Sequence, residues 1–163
     1  VKVRIAASIV LAAMVLTGTT GCNFFSPTAT AIQYDPSDGV GANIGELKVR
    51  NAILLTDRDD PLGSLVVSLV SVGDAGKKVL IQYSDADGEQ VEESVIVGAD
   101  ERESFGNTDQ EQILFENIDV QPGSLFPVFI TYGDETGQQL LVPVLDGTLP
   151  PYTDLVPTSG DSE

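Results

Sequence analysis

An all-β fold, an antiparallel immunoglobulin-like sandwich of about seven to nine short strands, is predicted by three observations. From Glu46 onward, apolar and polar residues alternate with a period of two in one run after another. Turn-forming clusters such as Asp87-Gly88, Gln121-Pro122-Gly123 and Gly133-Asp134-Glu135-Thr136-Gly137 separate these runs. No window after residue 21 carries a capped helical stripe.

The elements follow in order. Leu47 and Val49 face one way while Glu46, Lys48 and Arg50 face the other, and the run continues through Ala52-Ile53-Leu54-Leu55 as the first core strand. Leu65–Val72 is β-branched and nearly continuous, the pattern of a strand buried on both faces. Val79, Ile81 and Tyr83 alternate with Lys78, Leu80 and Gln82. Asp87-Gly88 then marks a two-residue hairpin turn, because Asp and Gly tolerate positive φ. Val91, Val95 and Val97 form the returning strand, and Ile113–Phe115, Phe126–Tyr132 and Leu140–Leu145 complete the set. Pro127 and Pro143 fall inside the last two runs, and their missing donors place them at sheet edges or bulges. The sandwich is thus expected over residues 46–146. Residues 147–163, with Pro150-Pro151 and a polar end, are expected as a flexible tail.

Ahead of the sandwich lies a different kind of sequence. Lys2 and Arg4 precede the apolar run Ile5–Leu16, which is short for a bilayer crossing, and small residues follow it. This is the pattern of a secretory signal peptide over residues 1–21. Thr19-Thr20-Gly21-Cys22 resembles a lipobox, with Thr19 where Leu is usual. Cleavage between Gly21 and Cys22 would leave Cys22 as the lipid-bearing N-terminus of a bacterial lipoprotein. The chain has one Cys, so no disulfide competes for that thiol. Residues 22–45 read as the lipidated N-terminus and a tether, in which Ala31–Tyr34 is a candidate strand and Phe24-Phe25 a candidate membrane contact. The expected location is the outer face of the cytoplasmic membrane.

Charge narrows the partners. The chain carries 8 basic and 25 acidic residues, and loss of Lys2 and Arg4 with the leader gives a formal charge of −19. Such a surface repels nucleic acid and anionic lipid alike, so attachment to a membrane falls to the covalent lipid. Chemistry is narrowed further by the absence of His. With the only Cys assigned to lipid, Ser-His-Asp and Cys-His catalysis, His-based zinc sites and ordinary blue-copper ligation are all excluded. Carboxylate pairs are available for glycoside hydrolysis, but no Trp and only four Tyr leave little aromatic surface for stacking a sugar ring, and no enzyme activity is expected. Two acidic clusters offer hard oxygen donors for calcium: Asp57, Asp59 and Asp60 in one, Asp85 and Asp87 in the other. The second lacks the later acid of a calcium loop, and a β-turn accounts for Asp87-Gly88 without an ion.

Ile113–Ile118, Gln121-Pro122-Gly123, Phe126–Tyr132, Gly137 and Leu140–Val144 together resemble the closing hairpin of the periplasmic copper chaperones of the PCu(A)C family, and the same scaffold in LpqE-like actinobacterial lipoproteins. Glu46–Ala52 and Leu69–Leu80 fit the opening strands, so the resemblance spans about residues 46–146. It implies a cupredoxin-like sandwich. It also implies a copper site, and there this chain departs: Gln112 and Leu114 stand where the family's later His and Met lie, and Met14 leaves with the leader. The expected function is therefore a non-catalytic envelope module, without cofactor, that binds another protein or a cell-wall component. The alternative is a metal-handling lipoprotein, derived from a copper chaperone or turned to calcium.

Overall fold

A computed structural model describes residues 2–18, 37–58 and 60–157. The chain divides into two units, Val1–Tyr34 and Asp35–Glu163. In the first, α1 spans Lys2–Gly18. No helix among the described residues is long and apolar enough to cross a membrane. Gly21, Cys22, Phe24-Phe25 and the candidate strand Ala31–Tyr34 lie outside the described residues.

The second unit contains nine strands: β1 Val40–Ile44, β2 Leu47–Thr56, β3 Gly63–Ser71, β4 Lys77–Ser84, β5 Gln90–Val97, β6 Arg102–Phe105, β7 Ile113–Phe115, β8 Leu125–Tyr132 and β9 Gln138–Leu145. They run in the order β5-β4-β8-β9-β2-β3-β6, with β1 on β2 and β7 on β3. Every pairing is antiparallel except β2 with β9, which touch in parallel through only Leu54↔Val144 and Leu55↔Leu145. That short contact joins two layers, β5-β4-β8-β9 and β1-β2-β3-β6-β7, whose inward residues form one apolar core. Leu47, Val49, Leu65, Leu69, Val79, Ile81, Val128, Ile130 and Val142 are all fully buried in it. The all-β sandwich read from alternation is the fold observed.

Four local expectations change. The tether does not run to residue 45, because Val40–Ile44 is already a strand paired to β2 across the two-residue turn Gly45-Glu46, with Gly45 at φ +52°. The Asp87-Gly88 hairpin is longer than two residues: Gly88 N–H donates to Asp85 O at 3.1 Å and Asp85 N–H to Glu89 O at 3.0 Å, and of the pair only Gly88 takes positive φ. Pro127 and Pro143 sit on interior strands rather than edges. Their missing donors fall where a ladder stops: the β4 pairing of β8 ends at Phe129, and the β2 pairing of β9 begins at Val144.

The fourth concerns the C-terminal segment, expected to be loose from residue 147. It folds back as turns over 147–156, and Leu155 is buried against Ile53, Leu55 and Val66, with Tyr152 and Val156 alongside. A bulge in β2 creates this second cluster. Asn51, at φ +53°, shifts the β2–β3 register, so Leu47 and Val49 face the main core while Ile53 and Leu55 turn to the opposite side. The Asn51 Oδ1 accepts from Gly39 N–H at 3.1 Å, and Tyr152 O–H donates to Asp38 Oδ2 at 2.7 Å. Both contacts fix the point where the chain enters the sandwich. Burial, then the Asp38 carboxylate, push the Tyr152 phenol up to about 12.

β5 forms one edge of the sheet. Glu93, at a position whose parity points toward the core, is exposed beside Glu92, so the edge carries carboxylates on both faces.

Candidate functional site

The acidic loops resolve into structural contacts. Asp85 Oδ1 accepts from Asp87 N–H at 3.0 Å and Glu89 N–H at 2.8 Å, closing the β4–β5 turn. Asn117, itself at φ +52°, donates its side-chain amide to Asp85 Oδ2 at 3.2 Å and Asp87 Oδ2 at 2.9 Å. These two carboxylates thus hold the segment after β7 against the hairpin. In the other loop, Asp60 Oδ1 accepts from Leu62 N–H at 3.1 Å, and Thr56, a residue 1 % exposed, donates its hydroxyl to Leu62 O at 2.9 Å. Asp57 borders the same turn, and Asp59 lies outside the described residues. Among the described residues no three metal-ligating side chains come together.

A buried cation sits at one end of the sandwich. Lys77 shares the inward parity of Val79, Ile81 and Tyr83 and is 5 % exposed. Its ammonium donates to Ser71 Oγ at 3.0 Å and to Val72 O and Ala75 O at 3.2 Å, pairs with Glu46 Oε2 at 3.2 Å, and lies 5.5 Å from the Tyr132 ring centre. Tyr132 O–H accepts from Glu46 N–H at 2.8 Å. Every proton of the ammonium has an oxygen, so this group ties the β1–β2 turn to β4 and β8 and has no free donor for chemistry. At the other end Tyr83 stacks on Phe115 with ring centres 4.1 Å apart, and its oxygen accepts from Glu116 N–H at 2.9 Å. Burial raises the Tyr83 phenol pKa and outweighs that backbone hydrogen bond, which lowers it.

The surface that stands out is the outer face of the β5-β4-β8-β9 layer. On β8 the inward residues Phe126, Val128 and Ile130 alternate with the outward Leu125, Pro127 and Phe129. Across the ladder these oppose Pro143, Leu141 and Gln139. Leu125 is 57 %, Leu141 54 % and Phe129 36 % exposed. Of all outward positions on the four strands, only Lys78 and Glu92 carry charge. In a chain of net charge −17, a sheet face with no net charge and half its outward side chains apolar is the anomaly, since an outer face bears the polar half of the alternation.

Searches against protein-family models and against curated proteins find no match. Solved structures do match in fold. The copper-bound PCuAC domain from PmoF2 superposes with a TM-score of 0.51 at 11% identity, covering 65% of this chain and 97% of that domain. The apo PmoF2 PCuAC domain gives 0.50 at 10% identity, over 65% and 94%. The fold is that of a PCuAC domain. The likeness extends to architecture alone, and the metal-ligand positions carried over by resemblance hold Gln112, an exposed amide, and Leu114, a half-buried hydrocarbon on β7. Neither is a soft donor. The apolar outer face has no counterpart in the sequence reading, because it exists only once β8 and β9 are placed in register.

Proposed function

We propose that this chain is an extracytoplasmic lipoprotein, held by lipid on Cys22, that acts as a non-catalytic binding module of the cell envelope through the outer face of β4, β5, β8 and β9. The observation that carries this reading is the neutral apolar face centred on Leu125, Phe129 and Leu141 in an otherwise acidic chain. The fold likeness to PCuAC domains supports a scaffold of binding rather than of catalysis. A photoreactive residue placed at Leu141 should give a specific crosslinked product in intact cells, and one at Glu103, on β6 of the other layer, should not. Equal products from both positions would overturn the choice of face. The anchor has its own test: mass spectrometry of the mature N-terminus should find Cys22 first and bearing a diacylglyceryl thioether, and an unmodified thiol would refute it.

A second reading, metal handling, is supported by the copper-bound state of one structural neighbour. Gln112 and Leu114 speak against it for copper, because neither offers sulfur or imidazole. The expected outcome is that Cu(I) passes from the protein to a chelator of modest affinity; stoichiometric retention would establish the second reading in place of the first.

A further inference from the structure

The register of three ladders places four side chains in a line across the outer face. Glu92 opposes Gln82, Gln82 opposes Phe129, and Phe129 opposes Gln139. At the usual strand spacing this row is about 14 Å long. It has an aromatic ring near its middle and an amide on either side.

The ring is held in place. Phe129 lies over Gly137, where a Cβ would come within 2.3 Å of its Cζ, so the missing side chain of Gly137 makes the space the ring occupies. The amides are arranged with equal economy. Gln82 Nε2 donates to Glu92 Oε2 at 2.8 Å, which fixes that amide and leaves its carbonyl to accept. The side chain of Gln139 is exposed and makes no hydrogen bond among the described residues, so it has both donor and acceptor to offer. Ser84, Gln90 and Pro127 join Gln82, Phe129 and Gln139 in lining a shallow, open depression of about 370 Å³.

Resting on the reading of this face as the contact surface, we infer that the row is a platform for a neutral, β-1,4-linked polysaccharide chain of the envelope. A pyranose ring has an apolar C–H face and a rim of hydroxyls that both donate and accept. Phe129 matches the first, and the amides of Gln82 and Gln139 match the second. The open, shallow shape suits an extended ribbon passing over the surface better than an enclosed small molecule, and a β-1,4 linkage gives such a ribbon. Charge selects in the same direction: an acidic polymer is repelled by the Glu92 carboxylate at the end of the row and by the net −17, whereas an uncharged one is not.

The test is a calorimetric and NMR titration of the full chain, purified in detergent, with two probes, the tetramer of β-1,4-linked N-acetylglucosamine and cellotetraose. At least one should bind, with shifts centred on Gln82, Phe129 and Gln139. Phe129→Ala should weaken that binding by about tenfold or more and Gln139→Ala by about threefold, the scale of one lost stacking surface and one lost amide. Leu125→Ala, on the same face but off the row, should leave affinity within about twofold. All three positions are exposed, and retained chemical shifts of the core would show that folding is intact. Failure of both tetramers to bind, or equal losses from Leu125→Ala and Phe129→Ala, would overturn the inference. If neither tetramer binds but Leu141 still crosslinks specifically to a protein, the glycan is wrong and the face is right; if Leu141 crosslinks to nothing as well, both readings fall.

Discussion

Replacing Lys77 by Met retains most of the apolar stem and removes only the ammonium. Three acceptors then lose their donor: Ser71 Oγ, on a residue 1 % exposed, and the carbonyls of Val72 and Ala75. Ser71 Oγ, the buried acceptor, costs on the order of 1–3 kcal/mol when left unpaired, the carbonyls of Val72 and Ala75 belong to exposed residues and can turn to water, and the Tyr132 ring loses a cation–π contact of about 0.5–1 kcal/mol. The added apolar burial of Met offsets part of this, giving a net loss of about 2 kcal/mol. The ion pair contributes little to that sum, because the Glu46 side chain is 63% exposed and its carboxylate stays solvated when the partner leaves. Glu46→Gln is therefore expected to cost less than about 1 kcal/mol. Urea unfolding of the two variants reads the difference: Lys77→Met should lower the midpoint by about 1 M at unchanged slope, and Glu46→Gln by a few tenths. A Lys77→Met loss below about 1 kcal/mol, or one matched by Glu46→Gln, would mean that the ammonium is held by Coulomb attraction rather than by its oxygen cage.

Other contacts make further expectations. Leu155→Ala should destabilise the fold by about 2–3 kcal/mol in the same assay, since it opens a cavity against Ile53, Leu55 and Val66; a truly loose tail would show no change. Tyr152 has a folded pKa raised above its ordinary value of 10.0, so its contribution is full below pH 10 and is lost as pH rises toward about 12. Unfolding measured at pH 9 and pH 11 should therefore show a smaller fall for Tyr152→Phe than for the wild type, with some fall remaining because Tyr83 is shifted in the same direction. Asn117→Ala removes both the left-handed residue and the amide that bridges Asp85 and Asp87, and should cost about 1 kcal/mol without creating a calcium site, as a titration giving no heat at millimolar calcium would verify.

The strands were legible wherever large apolar residues alternate cleanly, as in Val79-Leu80-Ile81-Gln82-Tyr83. β1 escaped because Val-Gly-Ala-Asn-Ile has little hydrophobic contrast, and β6 because three of its four residues are polar. The docking of Leu155 depends on a parity change at Asn51, and no local pattern announces what a bulge will expose on the far side. The prolines misled for a related reason. A proline needs only a gap in one ladder, and a strand can be interior with its pairing incomplete. Lys77 did leave a trace, since it falls two residues before Val79 and shares its inward parity. The row Gln82-Phe129-Gln139 left none, because its members come from three strands and meet only through tertiary register. Copper ligands, by contrast, need particular elements, and the absence of His could be read directly from composition.

The paired glutamates on β5 bear on how such molecules crowd. If the proposed lipid on Cys22 confines the chain to a plane, copies meet edge to edge far more often than in bulk, and an unfinished sheet margin is then an invitation to chain growth. Antiparallel self-association along Gln90–Val97 would gather Glu92 and Glu93 of two copies onto neighbouring rungs, where their mutual repulsion works against each added unit. Dense packing can thus proceed without fibres, and because screening shortens the reach of that repulsion, salt is the variable that would erode the safeguard.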